Sequence, residues 1–484
     1  MSNAGDMNFS LEVAKSFVGT VVQAVFGLAG IIVFARILGP VEFGGFYLLL
    51  SITQIIDPPF KGWSTAVKKR FSEYESNRSE IFGSQVIINV TGLVVIGLGA
   101  IILESYLASY TGLDHALLLL LVILATVTSF EPLQQMLDAS GRPALSTWID
   151  TVRSILTTPL QLGLVLLGFG AVGMGLGLAG ATAITVLVCY RYLGVRPALP
   201  SRETLESVWG FARYSFVHEL VGTAYDRYDV LLLGALLGQA AVADYEVALK
   251  LTLPATFISS AITGALVPRI SNLNSRGESV GDDVTNSLAF APLLAIPIFF
   301  GAFAIPHALV VTVFGSPYRD AAVLLVGLAL VRIIHIQGSH LSNVLQGVDR
   351  PDLPLRISII AFALNIVVGY VLVKQIGALG AVIGTVVAAG LRYVILAYLT
   401  RTLIDGVRLF PRPLIEQIAA GFVMFLTVEA IHSILSIQSW SDLLLLVGTG
   451  AAVYGVTLLA ISTQLRHIVR EVIEDVVTAT HPSL

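Results

Sequence analysis

Six basic residues fall inside long apolar stretches of this chain: Arg153, Arg213, Arg227, Lys250, Arg332 and Arg392. A charge held at mid-bilayer depth costs roughly 2.5–3.5 kcal/mol on insertion scales, so such a residue faces a cavity or a partner. Counting along each stretch puts Arg227, Lys250 and Arg332 nearest the middle. Arg153, Arg213 and Arg392 lie closer to one face, where a long side chain can snorkel to water. Arginine offers a planar fork to phosphate oxygens and lysine a point charge, so the three deep cations are candidate receptors for an anionic headgroup. The same three could instead neutralise nearby carboxylates, such as Asp226 or Asp229, and hold helices in register.

Glu219, Asp226 and Asp229 stand at spacings of seven and three, which places them on one face of a helix. Such a row can bind Na⁺ or carry a proton, which makes these three the coupling-ion candidates; ion pairing with Arg227 or Lys250 is the alternative. Beyond that ion, H⁺ or Na⁺, no cofactor is expected. Asp57-Pro58-Pro59 interrupts another apolar stretch, because two adjacent prolines remove backbone donors and force a break. Breaks of this kind line transporter cavities, so Asp57 is a candidate cavity residue, or simply the i,i+4 partner of Lys61. His335 lies three residues from Arg332, but no second ligand stands at metal-binding spacing, and a core histidine is the expected reading. Cys189 is the only cysteine, which excludes intrachain disulfides and cysteine-based metal sites.

The elements that must position these residues are membrane helices. Of the 484 residues, 55% are hydrophobic and 12% charged, against about 25% charged in soluble domains. The apolar residues come in blocks of helical-span length. Fourteen spans are expected: 13–38, 43–66, 81–104, 115–138, 144–168, 172–194, 207–236, 240–270, 285–314, 319–346, 354–375, 378–402, 413–436 and 441–463. The N-terminus, the even-numbered loops and the C-terminus carry nineteen Lys and Arg, including Lys68, Lys69, Arg70, Arg142 and Arg350, while the opposite side holds only Arg36, Arg319 and Lys374. That asymmetry puts both termini in the cytoplasm. The start, Met1-Ser2-Asn3-Ala4-Gly5, lacks the basic-then-apolar order of a cleaved signal, so the first span is expected to be retained. The net charge of −4, without a basic stripe, gives no support to nucleic-acid binding. Leu465, Ile468, Val469, Val472, Ile473 and Val476 follow helical spacing and predict an amphipathic helix on the cytoplasmic surface.

Sliding the chain by about 200 residues reveals a repeat. Leu137-Asp138-Ala139-Ser140-Gly141-Arg142-Pro143 matches Leu345-Gln346-Gly347-Val348-Asp349-Arg350-Pro351, and Gly170-Ala171-Val172-Gly173 matches Gly377-Ala378-Leu379-Gly380. Leu38-Gly39 with Phe46 resembles Leu237-Gly238 with Tyr245. Six spans separate each pair, and an even number preserves direction, so the halves are parallel and related by a pseudo-two-fold along the membrane normal. The expected architecture is an all-α polytopic membrane protein. Residues 1–200 form one six-helix lobe, 201–405 a second, 406–464 two further helices and 465–484 the tail.

The segment Ala35-Arg36-Ile37-Leu38-Gly39-Pro40-Val41-Glu42-Phe43-Gly44-Gly45-Phe46 resembles the start of polysaccharide-transporter flippases of the multidrug/oligosaccharidyl-lipid/polysaccharide exporter superfamily. Asp229 with Leu231-Leu232-Leu233-Gly234, Tyr245 followed by Ala248 and Lys250, Pro268, and Gly347-Val348-Asp349-Arg350-Pro351 extend the likeness over about residues 13–405. The resemblance implies movement of a lipid-linked oligosaccharide between leaflets by alternating access, without an ATPase of its own, and no phosphate-binding loop is present in the sequence. It implies a non-enzymatic transporter, working as a monomer among membrane lipids in a prokaryotic plasma membrane. Arg36 joins Arg227, Lys250, Arg332 and Asp57 as a substrate-binding candidate. A cation-coupled multidrug antiporter of the same superfamily and a membrane glycan polymerase or ligase are the competing readings. The antiporter would have twelve spans, against which the extra pair of helices argues, and the enzyme would need an extramembrane catalytic loop or a carboxylate–metal motif, neither of which the sequence shows.

Overall fold

A computed structural model describes residues 9–73, 76–435, 437, 439–467 and 470, with the side chains of residues 9–25, His218 and Ala265 left aside. Among these residues there are helices and no strands. In chain order they are α1 (Phe9–Ile56), α2 (Pro58–Phe71), α3 (Arg78–Ile102), α4 (Glu104–Thr111), α5 (Ala116–Ala139), α6 (Pro143–Leu164), α7 (Gly170–Leu193), α8 (Arg202–Leu237) and α9 (Gln239–Leu251). There follow α10 (Phe257–Ser275), α11 (Gly281–Phe290), α12 (Ala295–Ala304), α13 (Pro306–Phe314), α14 (Ala321–Gly347), α15 (Asp352–Ile376), α16 (Ala378–Leu403), α17 (Arg412–Ile434) and α18 (Trp440–Ile461).

Over its described residues, each of the fourteen expected spans is helical for most of its length. Eleven segments among the described residues are long and apolar enough to cross a membrane. The remaining spans are found where one segment holds two or where charge accumulates. α1 turns at Gly39 and so carries two, Pro143–Leu193 contains both α6 and α7, and α8 holds the charges of the seventh span. Three spans are broken within the apolar zone: the second at Asp57, the eighth at the short turn Leu253–Thr256, and the ninth into α11, α12 and α13. Large apolar side chains such as Leu98, Ile101, Leu187, Val367 and Leu445 stand exposed, as a lipid-facing surface requires, while the helices satisfy their interior backbone groups themselves.

The repeat is visible in the backbone itself. Gly39 (φ 71°, ψ 176°) and Gly238 (φ 88°, ψ −175°) adopt one conformation, in a region essentially confined to glycine, and turn the chain between its first two and its seventh and eighth spans. Gly170 (φ 52°, ψ −140°) and Gly377 (φ 67°, ψ −149°) form a second matched pair. At the third, Gly141 and Asp349 both have positive φ. There the Arg142 nitrogen donates to the Leu137 carbonyl at 3.1 Å and the Arg350 nitrogen to the Leu345 carbonyl at 2.9 Å.

By packing, the chain forms two compact units. One is Ala29–Glu246; the other runs from Val247 onward and also takes the described residues before Ala29. The sequence repeat restarts near residue 200, yet the packing boundary comes later because α8 lies along α2. Gly62 permits that approach, since a Cβ there would meet the Phe216 nitrogen at 2.6 Å. The first unit has a core around Trp63, Val67, Phe71, Phe82, Met136 and Leu137, and the second one around Ile270, Val284, Leu288, Leu341, Leu345 and Leu396. The expected amphipathic tail, including Ile468, Val469, Val472, Ile473 and Val476, lies outside the described residues.

Candidate functional site

In the first unit the helix break at Asp57 organises the charges. Pro58 and Pro59 open α2, so the chain stops and restarts there, and Asp57 sits at the junction, 2% exposed. Its Oδ2 lies 3.2 Å from Lys61 Nζ, one turn into α2. The same ammonium lies 3.4 Å from Glu131 Oε1 on α5. Glu219 on α8 is near enough for its charge to act on both Asp57 and Glu131. Two carboxylates therefore share one lysine, with the charge of a third, Glu219, acting on both of them.

The other predicted residues of this unit are placed separately. Arg227 Nη1 is 3.8 Å from Glu246 Oε1, a carboxylate with no solvent exposure. Asp229 is buried and accepts a hydrogen bond from the Tyr245 hydroxyl at 3.0 Å. Asp226 is exposed, as is Arg36, three residues before the Gly39 turn. The row Glu219, Asp226, Asp229 shares a helix face in sequence, but packing sends Glu219 toward α2 and α5 and Asp229 toward α9.

In the second unit, Lys250 is half-buried in the last turn of α9. Two residues on, the Thr252 hydroxyl accepts from Arg332 Nε at 3.0 Å, tying α14 to the turn that follows α9. Arg332 and His335 line a cavity of about 440 Å³ with Thr256, Ser259, Ser260, Thr263, Ser339 and Asn343. Ser259 also hydrogen-bonds His340 Nε2 at 3.0 Å. One guanidinium among hydroxyl and amide groups, in a cavity of this size, can hold a phosphate and the hydroxyls of a sugar.

These two places are equivalent in the repeat. The register that pairs Gly39 with Gly238 sets Asp57 against Thr256 and Lys61 against Ser260; the register that pairs Arg142 with Arg350 sets Glu131 against Ser339. All three counterparts line the Arg332 cavity. Both loci lie at a break in the second helix of their repeat, where backbone regularity is lost and polar side chains are drawn inward.

Glu131 and Glu246 were missed by the sequence reading. Glu131 precedes Pro132 in the middle of an apolar span, a signal of the same kind as Asp57-Pro58. Glu246 stands four residues before Lys250, on the same helical face. Either could have been found by scanning the spans for acids as they were scanned for bases.

A family model described as polysaccharide biosynthesis protein matches residues 33–323. A probable low-salt glycan biosynthesis flippase of Haloferax volcanii, Agl15, is 26% identical over 395 residues, covering 81% of this chain and 83% of its own. A probable flippase of the same organism, AglR, is 25% identical over 491 residues, covering 98% of this chain and 99% of its own. The lipid II flippase MurJ, in an inward closed conformation, shares the fold with a TM-score of 0.78 at 13% identity, over 93% of this chain and 98% of that one.

Proposed function

This chain belongs to the polysaccharide biosynthesis protein family, and on that footing we propose that it is a flippase that carries a lipid-linked oligosaccharide from the cytoplasmic to the outer leaflet. The cargo is an isoprenoid phosphate or pyrophosphate bearing a glycan. Its charged head would enter a polar cleft that opens alternately to each side, while the lipid tail stays in the bilayer. Arg332, within its cavity of hydroxyls, is the first candidate to receive the phosphate, with Lys250 as a further donor. The observation that carries the reading is the match to named flippases along nearly the whole chain, including its last two helices. On this reading the protein works as a monomer in a prokaryotic plasma membrane; the distribution of Lys and Arg supports a cytoplasmic position for both termini.

Deleting the gene in cells that produce the chain tests this directly. Lipid-linked glycan should accumulate on the cytoplasmic leaflet and be depleted from the outer one, as read by a membrane-impermeant glycosidase. Single glycan units already on the outer leaflet would point to a lost polymerase or ligase. Loss of cationic dye efflux with unchanged glycans would point to a drug antiporter.

A further inference from the structure

Asp57-Pro58-Pro59 does more than break a helix. An aspartate preceding a helix normally accepts a hydrogen bond from the second or third N–H of the first turn. Here the first two positions are prolines and have no N–H to give, and the third, that of Phe60, donates to the Asp57 carbonyl at 2.9 Å. The carboxylate caps nothing. Its Oδ2 meets Lys61, but Oδ1 has no hydrogen-bond partner among the described residues, in a side chain that is 3% exposed. A buried carboxylate oxygen without a donor is accommodated by taking a proton.

The surroundings sharpen this. Lys61 is shared with Glu131, and Glu219 adds a third carboxylate, so two negative charges stay uncompensated when all are ionised. The place a metal cation would take is filled by the Lys61 ammonium, and no group of three or more His, Cys, Asp or Glu able to hold a metal occurs among the described residues. Other charged groups on the packed helices are engaged elsewhere. Lys68 pairs with Asp138, Arg153 with Asp150 and over the Phe130 ring, Arg213 lies on Tyr214, Glu80 accepts from Ser201, and Arg78 lies over Phe71. Asp226 and Asp229 stand further along α8, the latter bonded to Tyr245.

We propose that Asp57, Lys61, Glu131 and Glu219 form a proton-exchange site in the first half of the chain, with Asp57 Oδ1 as the atom that takes and releases the proton. An O–H bond forms at Oδ1, the carboxylate becomes neutral, and the Lys61 ammonium, still charged, gives its whole attraction to Glu131. Release of the proton restores the shared arrangement. The role of this site as the coupling step rests on the flippase reading; its proton chemistry does not.

Trp63, two residues past Lys61, is 8% exposed and donates its Nε1–H to Ser84 at 3.3 Å, which makes it a built-in reporter. The experiment uses the purified full chain in detergent, with Trp148, Trp209 and Trp440 replaced by Phe and with His218→Gln, so that no histidine adjoins Glu219 in the sequence. Trp63 fluorescence should show one sigmoidal change as the pH is varied, the same in Na⁺ and in K⁺. Asp57→Asn should abolish it. Lys61→Met should move its midpoint upward by about one pH unit or more, because an ammonium that opposed proton binding is gone. A transition left unchanged by both variants, one that requires Na⁺, or none in the parent protein would overturn the proposal. No glycan enters the measurement, so its failure would leave the flippase reading standing, and failure of glycan transport would leave a measured proton site standing.

Discussion

In the first half of the chain, the break at Asp57 and the Glu131 turn of α5 bring two carboxylates to one ammonium, with Glu219 acting on both. In the second half, the break at Leu253–Thr256 and the Ser339 turn of α14 gather hydroxyls around one guanidinium. The backbone devices are held in common, down to the glycine conformations at residues 39 and 238, while the side chains at equivalent positions have been exchanged: Asp57 for Thr256, Lys61 for Ser260, Glu131 for Ser339. The repeated scaffold thus places two polar clusters of opposite charge, which is why a proton is proposed at the first and an anion at the second.

The largest expected effect separates structural cations from binding ones. Arg227 lies 3.8 Å from the fully buried Glu246, so Arg227→Gln takes a positive charge away from a buried carboxylate, a change that costs on the order of 3 kcal/mol. Purified yield and thermal stability should fall, and Glu246→Gln should restore them in the double variant. If Arg227→Gln is instead stable but fails to bind glycan lipid, Arg227 belongs with the headgroup donors.

Next come changes that convert one cluster toward the other. Arg332→Gln removes a charge-assisted hydrogen bond worth roughly 1.5–3 kcal/mol, or about tenfold or more in affinity for an anionic lipid head. Arg332→Lys should recover only part, because a point charge does not reproduce the fork. Ser339→Glu places in the second half the carboxylate that the first half carries at its equivalent position, and should weaken anion binding about as much as Arg332→Gln by pairing with the guanidinium. Affinity unchanged in stable forms of both variants would remove the anion assignment from this cavity.

These contrasts show where sequence reading reached and where it stopped. All fourteen spans were legible because a bilayer demands long apolar runs and the hydropathy records them. The turns at Gly39, Gly170 and Gly377 were legible as repeats because their backbone conformations require glycine. The Asp57 break was legible from its two prolines, whereas the equivalent break near Pro254 was read through as one continuous span. The meeting of Lys61 with Glu131, seventy residues apart in the chain, follows from no spacing rule; it is created when α5 packs on α2. For the same reason the row Glu219, Asp226 and Asp229 could be placed on a helix face but not assigned neighbours.

Two smaller effects test the scaffold that both clusters share. Gly62→Val pushes α8 away from α2, and with it Glu219 from Asp57; overpacking of this kind costs roughly 1–3 kcal/mol, seen as a lower melting temperature and a displaced pH transition of Trp63. Gly39→Ala and Gly238→Ala meet open space but a backbone region that resists a Cβ, so each should cost about 1–3 kcal/mol, and by similar amounts if the repeat is structural. A large loss at one glycine with none at the other would argue against equivalent corners.

The most direct test of the account is leaflet exchange by the purified full chain in liposomes. A polyprenyl-pyrophosphate-linked oligosaccharide is introduced, and its exposure on the outside is followed with a membrane-impermeant glycosidase. The wild-type chain should make the whole pool cleavable in a single kinetic phase, and Arg332→Gln should slow that phase about tenfold or more. A folded wild-type chain that leaves the inner pool as protected as protein-free liposomes do would contradict the assignment.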